Sequence, residues 1–128
     1  MRTMAQKRAK YALDKVLEVT KNKDEKAKKE FKSFSAGAPS MILQNGFGQT
    51  LAFWLAKGTE KHIQLFDIIK NWLSYQEGDV NNTFVKSKDG KWLIAELSSM
   101  DQQAYLAAQS EALALLEWVK RFASADLS

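Results

Sequence analysis

Apolar residues recur along most of this chain at spacings of three and four, the period of a helix with one buried stripe. Ala5, Ala9, Ala12, Leu13, Val16 and Thr20 mark a first helix from Ala5 to Thr20, broken at Asn22. Asp24 is placed to cap a second, charge-rich helix running to about Phe34, with Ala27, Phe31 and Phe34 on one face. Together these two predict a helical hairpin. Gly37 and Pro39 read as punctuation, the proline opening a short helix through Leu43. Asn45-Gly46 ends that helix, because glycine readily takes the left-handed conformation of a helix C-terminus. A further helix from near Gly46 to Lys57 puts Phe47, Leu51, Trp54 and Leu55 on one side. After a stop at Gly58-Thr59, where Thr59 and His62 form a partial cap, the next helix spans Glu60 to Gln76. It turns Leu65, Phe66, Ile69, Trp72 and Leu73 inward.

Residues 77 to 100 interrupt the period. Gly78, Asn81 and Asn82 mark a loop, and Phe84-Val85 facing Trp92-Leu93-Ile94 across Lys88-Asp89-Gly90 predicts a short hairpin. Such a hairpin is stable only if it lies on the helices. A last helix, Asp101 to Ser124, has Tyr105, Ala112, Leu113, Leu116 and Val119 on one face, with Leu115, Trp118 and Phe122 widening the apolar arc. A helix this apolar needs two partners: either it is central to the fold, or its outer edge meets another chain. The expected fold is therefore all-α, a single-domain compact bundle of about five to seven helices over residues 1–128, with a short hairpin or loop insertion around residues 78–98.

Composition narrows the function. In 128 residues with 45% hydrophobic content the longest apolar run is Leu51 to Ala56, too short to span a bilayer. The basic N-terminus lacks the apolar run of a secretory signal, so a cytoplasmic protein with no membrane contact is expected. Without cysteine there is no disulfide framework, thiolate metal site or cysteine nucleophile. The net charge of +4 is uneven: residues 1–32 hold eleven Lys/Arg against five Asp/Glu, a surplus that the remainder of the chain does not share. A one-sided basic field attracts phosphate backbones or acidic surfaces, although lysine-rich helix faces are also simply solvated.

Candidate chemistry is sparse. His62 is the only histidine and the carboxylates are scattered, so neither a catalytic set nor a metal site is expected, and no cofactor or small-molecule substrate. Asn45-Gly46-Phe47-Gly48-Gln49-Thr50 has the glycines of a phosphate loop but neither a following lysine nor a preceding strand. A tight turn in which Gly46 supplies positive φ and Gly48 permits close packing accounts for it. An exposed helix start there could also hold a phosphate oxygen. On the first helix Arg8, Tyr11 and Lys15, with Lys7, frame an aromatic with three cations, a pattern that holds a phosphate and stacks on a base if Tyr11 is exposed. If Tyr11 lies flat on a neighbouring helix, the pattern is only structural. Lys120-Arg121 forms a second basic candidate: Lys120 falls inside the apolar arc, and Arg121 can pair with Glu117. Leu115, Trp118 and Phe122 are the candidate protein interface.

Two stretches carry a family resemblance. Pro39 to Phe53, PSMILQNGFGQTLAF, resembles the central turn of the small all-helical subunit of the type III-B CRISPR effector, the Cmr RNA-silencing complex. Glu111 to Ala123, EALALLEWVKRFA, resembles its C-terminal helix, and Arg8-Ala9, Tyr11 and Tyr105 fit its pattern. The resemblance covers nearly the whole chain except residues 77–100. It implies a non-catalytic subunit whose copies stack into a short inner filament beside the backbone subunits and touch the large polymerase-like subunit. It further implies that the cations face guide RNA and target RNA, sequence being read by base pairing. The competing reading is a homo-oligomeric helical interaction module without a nucleic-acid role, built on the Trp118/Phe122 edge.

Overall fold

The computed structural model describes residues 1–86 and 89–125, and among these the chain is all-α apart from one minimal hairpin. Six helices are present: α1 (Met4–Thr20), α2 (Glu25–Asn45), α3 (Phe47–Lys57), α4 (Glu60–Leu73), α5 (Gly90–Ser99) and α6 (Gln102–Ala125). Thr3 opens α1 with a capping box: its hydroxyl accepts from the Gln6 amide at 3.1 Å, and the Gln6 side chain accepts from the Thr3 amide at 2.8 Å. Asn22, at φ 58°, turns the chain, and Asp24 caps α2 by accepting from the Ala27 amide at 2.8 Å. The first break and cap thus fall where local chemistry puts them.

Gly37 and Pro39 do not break the chain. α2 continues through both to Asn45, with Pro39 inside it. A mid-helix proline costs about 3 kcal/mol in isolation. Here the buried stripe Phe31, Ser35, Ala38 and Ile42 runs unbroken past it and packs on α6, so burial outweighs the lost hydrogen bond. Gly46, at φ 88°, is both the end of α2 and the start of α3, as its composition suggests. Gly58 ends α3 in the left-handed conformation.

α4 buries Leu65, Phe66, Ile69, Trp72 and Leu73 as expected, and adds His62 and Ile68, but stops at Leu73. Two-residue strands β1 (Gln76–Glu77) and β2 (Val80–Asn81) follow, antiparallel, with Gln76 opposite Asn81 and Glu77 opposite Val80. Asn82 is buried and closes the end of α4: its amide donates to the Tyr75 carbonyl at 2.9 Å and its side chain to the Trp72 carbonyl at 2.8 Å. The side-chain bond adds a further donor to a carbonyl of the last turn of α4, where intrahelical donors run out.

The hairpin expected between Phe84-Val85 and Trp92-Leu93-Ile94 is not formed. Phe84 and Val85 donate instead to the Leu73 carbonyl, and Trp92, Leu93 and Ile94 lie in α5, capped by Asp89 accepting from the Lys91 amide at 2.9 Å. Lys88, part of that expected turn, lies outside the described residues. Leu93 and Leu97 are the buried pair of α5, four apart, a helical spacing that a three-residue apolar run conceals. Gly90 begins α5 against the buried ring of Phe66, where an added Cβ would lie 2.9 Å from Phe66 Cε1 and 3.7 Å from Leu55 Cδ2. Gly90→Ala is therefore expected to destabilise by about 1–3 kcal/mol, the usual cost of overpacking, read as a lower urea midpoint at unchanged slope.

α6 is the central helix. It packs against α1, α2 and α4 and buries Ala108, Glu111, Ala112, Leu115, Leu116 and Val119. α3 packs on α2, α4 and α5, and the buried apolar side chains join into one cluster.

Candidate nucleic-acid interface

α1 carries the densest predicted set, and its orientation decides what that set can do. Its buried line is Tyr11, Ala12, Val16 and Thr20, whereas Ala5 is exposed and Ala9 and Leu13 only half-buried, so the helix is rotated relative to the stripe read from the sequence. Tyr11 is 4% exposed and is not an outward-facing aromatic. Its hydroxyl donates to the Ile68 carbonyl at 2.8 Å, and its ring meets Trp72 and Tyr75, each with centroids 4.8 Å away. Burial pushes its phenol pKa far above the ordinary tyrosine value, so it stays a neutral donor. Tyr11 has no face left for a base.

Arg8 is likewise turned inward. Its Nε donates to Glu111 Oε2 and its Nη2 to Glu111 Oε1 at 2.9 Å, a two-point grip on a carboxylate that is itself buried. Trp72 Nε1 donates to the same Glu111 Oε2 at 2.9 Å. One carboxylate on α6 thereby ties α1 to α4. The hydrogen bond to Glu111 raises the Arg8 pKa further and fixes the guanidinium as a cation. Arg8 thus engages its charge internally on Glu111. Sequence reading passed over Glu111, yet its place one turn before Leu115 on the buried stripe of EALALLEW was the available signal: an acid on a buried stripe needs a partner.

The remaining candidates stay at the surface. Lys15 Nζ lies 5.5 Å from the Tyr11 ring centroid and 3.3 Å from Glu18. Lys7, half-buried, lines a groove of about 390 Å³ with Met4 and the 79–84 segment, beside the exposed Arg2–Asp79 pair. On α6, Lys120 reaches Glu117 at 3.9 Å, so the acid pairs three residues on and not with Arg121, which is exposed. The partial exposure of Lys120 fits a stem lying on the apolar arc with its ammonium outside. Leu115 is fully buried and belongs to the core, not to an interface, because α6 is enclosed at that level. Trp118 and Phe122 are half-buried and stacked, with centroids 5.8 Å apart and planes 29° apart, leaving part of an aromatic edge at the surface.

A cluster of cations without an ion pair among the described residues sits on the first half of α2. Lys26, Lys29 and Lys32 are exposed, and no ion pair engages them among the described residues. Lys26 and Lys29 share a groove of about 530 Å³ with Glu25, Glu30, Ser33 and, from α4, Lys61. α1, by contrast, uses Arg8, Lys10 and Lys15 on Glu111, Asp14 and Glu18. Of the N-terminal cations, those without an ion pair among the described residues thus lie mostly on α2. At the start of α3 the Gly48 amide donates to the Tyr105 hydroxyl at 2.8 Å, so a phenol from α6 takes one of the donors a phosphate oxygen would use.

Comparison with known proteins fits this architecture. A family model described as CRISPR-associated protein (Cas_Cmr5) matches residues 4–126. The chain belongs to the Cmr5 family. It is 30% identical over 129 residues to the CRISPR system Cmr subunit Cmr5 of Thermus thermophilus, with 98% of this chain and 96% of that protein covered. It is 31% identical over 121 residues to the Cmr5 subunit of Thermotoga maritima, covering 94% and 82%. The crystal structure of a CRISPR-associated Cmr5 family protein from Thermus thermophilus superposes with a TM-score of 0.77 at 30% identity, over the full length of both chains. The all-helical architecture is therefore that of a solved Cmr5 family member.

In this Cmr5 family chain the single histidine is a packed residue. His62 is 8% exposed, its Nδ1 bonded to the Thr59 hydroxyl and its ring 4.5 Å from that of Phe34. Thr59 thus engages the imidazole, not the backbone amide of a standard cap. Burial, and then Lys61 and Lys57, lower the His62 pKa below its ordinary 6.5. The folded state therefore keeps the imidazole neutral where the unfolded chain would take up a proton. Stability from this source is complete above the unfolded value and is lost as pH falls through 6.5 towards the folded one. The melting temperature is expected to drop between about pH 7.5 and about pH 5.5, and His62→Gln should flatten that slope.

Proposed function

We propose that this chain is the small subunit of a type III-B Cmr ribonucleoprotein, that it performs no chemistry itself, and that it holds RNA backbone through a basic face while stacking with copies of itself. Membership of the Cmr5 family supports the assembly. The observation that carries the RNA contact is the set of lysines on α2 and α4 that form no ion pair among the described residues: Lys26, Lys29 and Lys32, with Lys61 on the same groove. Lys7, Lys15, Lys120 and Arg121 remain secondary contacts, whereas Arg8 and Tyr11 serve the core. Among the described residues no group of three or more His, Asp or Glu gathers as a metal site, and no helix is long and apolar enough to cross a membrane.

Phosphate contacts of this kind are weak singly and add up along a strand when subunits stack. Stacking needs two different surfaces on each copy, and the partly exposed Trp118/Phe122 edge supplies one. The test is purification of the tagged chain from its host, native and with Lys26, Lys29 and Lys32 changed to Glu. The native chain should bring down larger subunits and a guide RNA. The triple variant should keep the subunits and lose target RNA at moderate salt. Recovery of the native chain by itself would refute the assembly; undiminished RNA retention by the variant would refute the α2 face.

A further inference from the structure

Where α2 meets α3, the Gly46 corner leaves a cleft of about 260 Å³ lined by Met41, Asn45, Gln49, Thr50 and Phe53. Its size lies just below the roughly 300 Å³ at which pockets for drug-sized ligands begin, which suits one planar ring system. The lining is of two kinds. Met41 and Phe53 are apolar, and Phe53 is 50% exposed, an unusual state for a phenylalanine on a helix whose other face is fully packed. Asn45 and Gln49 are exposed amides, and neither side chain has a hydrogen-bond partner among the described residues. Thr50 donates to the Met41 carbonyl at 3.1 Å, which ties the two helices together at the cleft.

The Phe53 ring is held from two directions. Lys57 Nζ lies 5.7 Å from its centroid, and the His62 ring stands edge-on to it at 6.4 Å. Lys57 has no carboxylate partner among the described residues and lies over one face of the ring, so an unneutralised cation borders the aromatic wall. An exposed aromatic face, amides with unused donors and acceptors, and an unneutralised lysine are together complementary to a nucleotide: base to ring, base edge to amides, phosphate to ammonium. A protein partner would use the apolar wall but leave the ammonium and both amides needing specific counterparts.

We propose that this cleft receives an unpaired base of single-stranded RNA, stacked on Phe53, with Asn45 and Gln49 at the base edge and Lys57 on the adjoining phosphate. The proposal rests on the RNA-contact reading above but concerns a different element and a different kind of contact. The α2 lysines hold the backbone without regard to bases. The cleft requires a base to be present and turned out of a duplex.

The experiment titrates the full chain at low salt with a labelled oligoadenylate and with the same oligomer made abasic. The intact chain should bind the oligoadenylate about ten-fold more tightly, the scale of one stacked base. Phe53→Ala should erase that preference, Phe53→Tyr should retain it, and neither should alter binding of the abasic strand. Adenosine monophosphate should shift the side-chain amide signals of Asn45 and Gln49 in a nitrogen-proton correlation spectrum. Equal binding of the two strands by the native chain would overturn the cleft proposal while leaving the backbone contact standing. Binding of neither strand would overturn both. Because Phe53 is half in solvent, its replacement leaves the fold intact, which a circular dichroism melt verifies.

Discussion

Glu111→Ala is expected to lower the unfolding free energy by about 3 kcal/mol, near the lower end of what breaking a buried ion pair costs. The lower end applies because Glu111 is 6% exposed while Arg8 keeps 21% of its side-chain surface in solvent. The substitution strands two groups, the Arg8 guanidinium and the Trp72 indole N–H, both of which have their partner in this carboxylate. At about 4 °C per kcal/mol for a chain of this size, the melting temperature should fall by roughly 12 °C. Glu111→Gln should cost less, since an amide oxygen can still accept from one donor. Arg8→Met combined with Glu111→Leu should recover much of the loss, because an apolar pair of similar volume replaces a buried ion pair at little cost. It should not recover all of it, since Trp72 Nε1 stays unpaired, a deficit of about 1–3 kcal/mol. A double-mutant cycle of the native chain, Arg8→Met, Glu111→Leu and the double variant measures the coupling directly. Additivity within about 0.5 kcal/mol would show that the α1–α6 tie does not exist.

Tyr11→Ala is expected to cost about 4 kcal/mol, within the range for emptying an aromatic side chain from a core. The ring fills the space among α1, Trp72 and Tyr75 and is almost wholly buried, so its removal leaves a cavity. Tyr11→Phe keeps the packing and loses only the hydroxyl bond to the Ile68 carbonyl, a loss of about 1 kcal/mol. This pair of variants separates two meanings of the same residue. A surface stacking tyrosine would show changes within about 0.5 kcal/mol for both and a marked loss of RNA affinity for the alanine. A core tyrosine gives the graded stability losses above, and the folded Phe variant retains RNA as the native chain does. Urea unfolding at constant slope, followed by RNA titration of the Phe variant, distinguishes them.

The two residues explain why the candidate site was only partly legible. In α1 the expected and the buried stripes share Ala12, Val16 and Thr20, and differ in whether Ala5, Ala9 and Leu13 or the larger Tyr11 lies inside. Alanine buries little area, so the face with the larger side chains wins once α4 and α6 offer aromatic and carboxylate partners. That rotation carries Arg8 inward with Tyr11 and leaves the unneutralised charge to α2. Leu115 followed the same logic: the last helix could be central or peripheral from its pattern alone, and packing by α1, α2 and α4 makes it central. The Asn45–Gln49 cleft was invisible for another reason. Its residues lie on both sides of Gly46, and only the angle between α2 and α3 makes them one surface.

What the amino-acid sequence determined by itself was local: the helical period, the turn at Asn22, the Asp24 cap, the positive φ at Gly46, the absence of thiol chemistry, and a family pattern spread over most of the length. These depend on residues within a turn of one another, or on a string of residues matched in order. What only the tertiary structure decided was every choice between near-equal local options: whether Pro39 ends a helix, whether Trp92-Leu93-Ile94 is strand or helix, which face of α1 is inside, and which cations still carry free charge. The reason is energetic. Local preferences differ by about 1–3 kcal/mol, and burying one stripe of side chains against a neighbouring helix contributes at least as much, so the packing partner casts the deciding term.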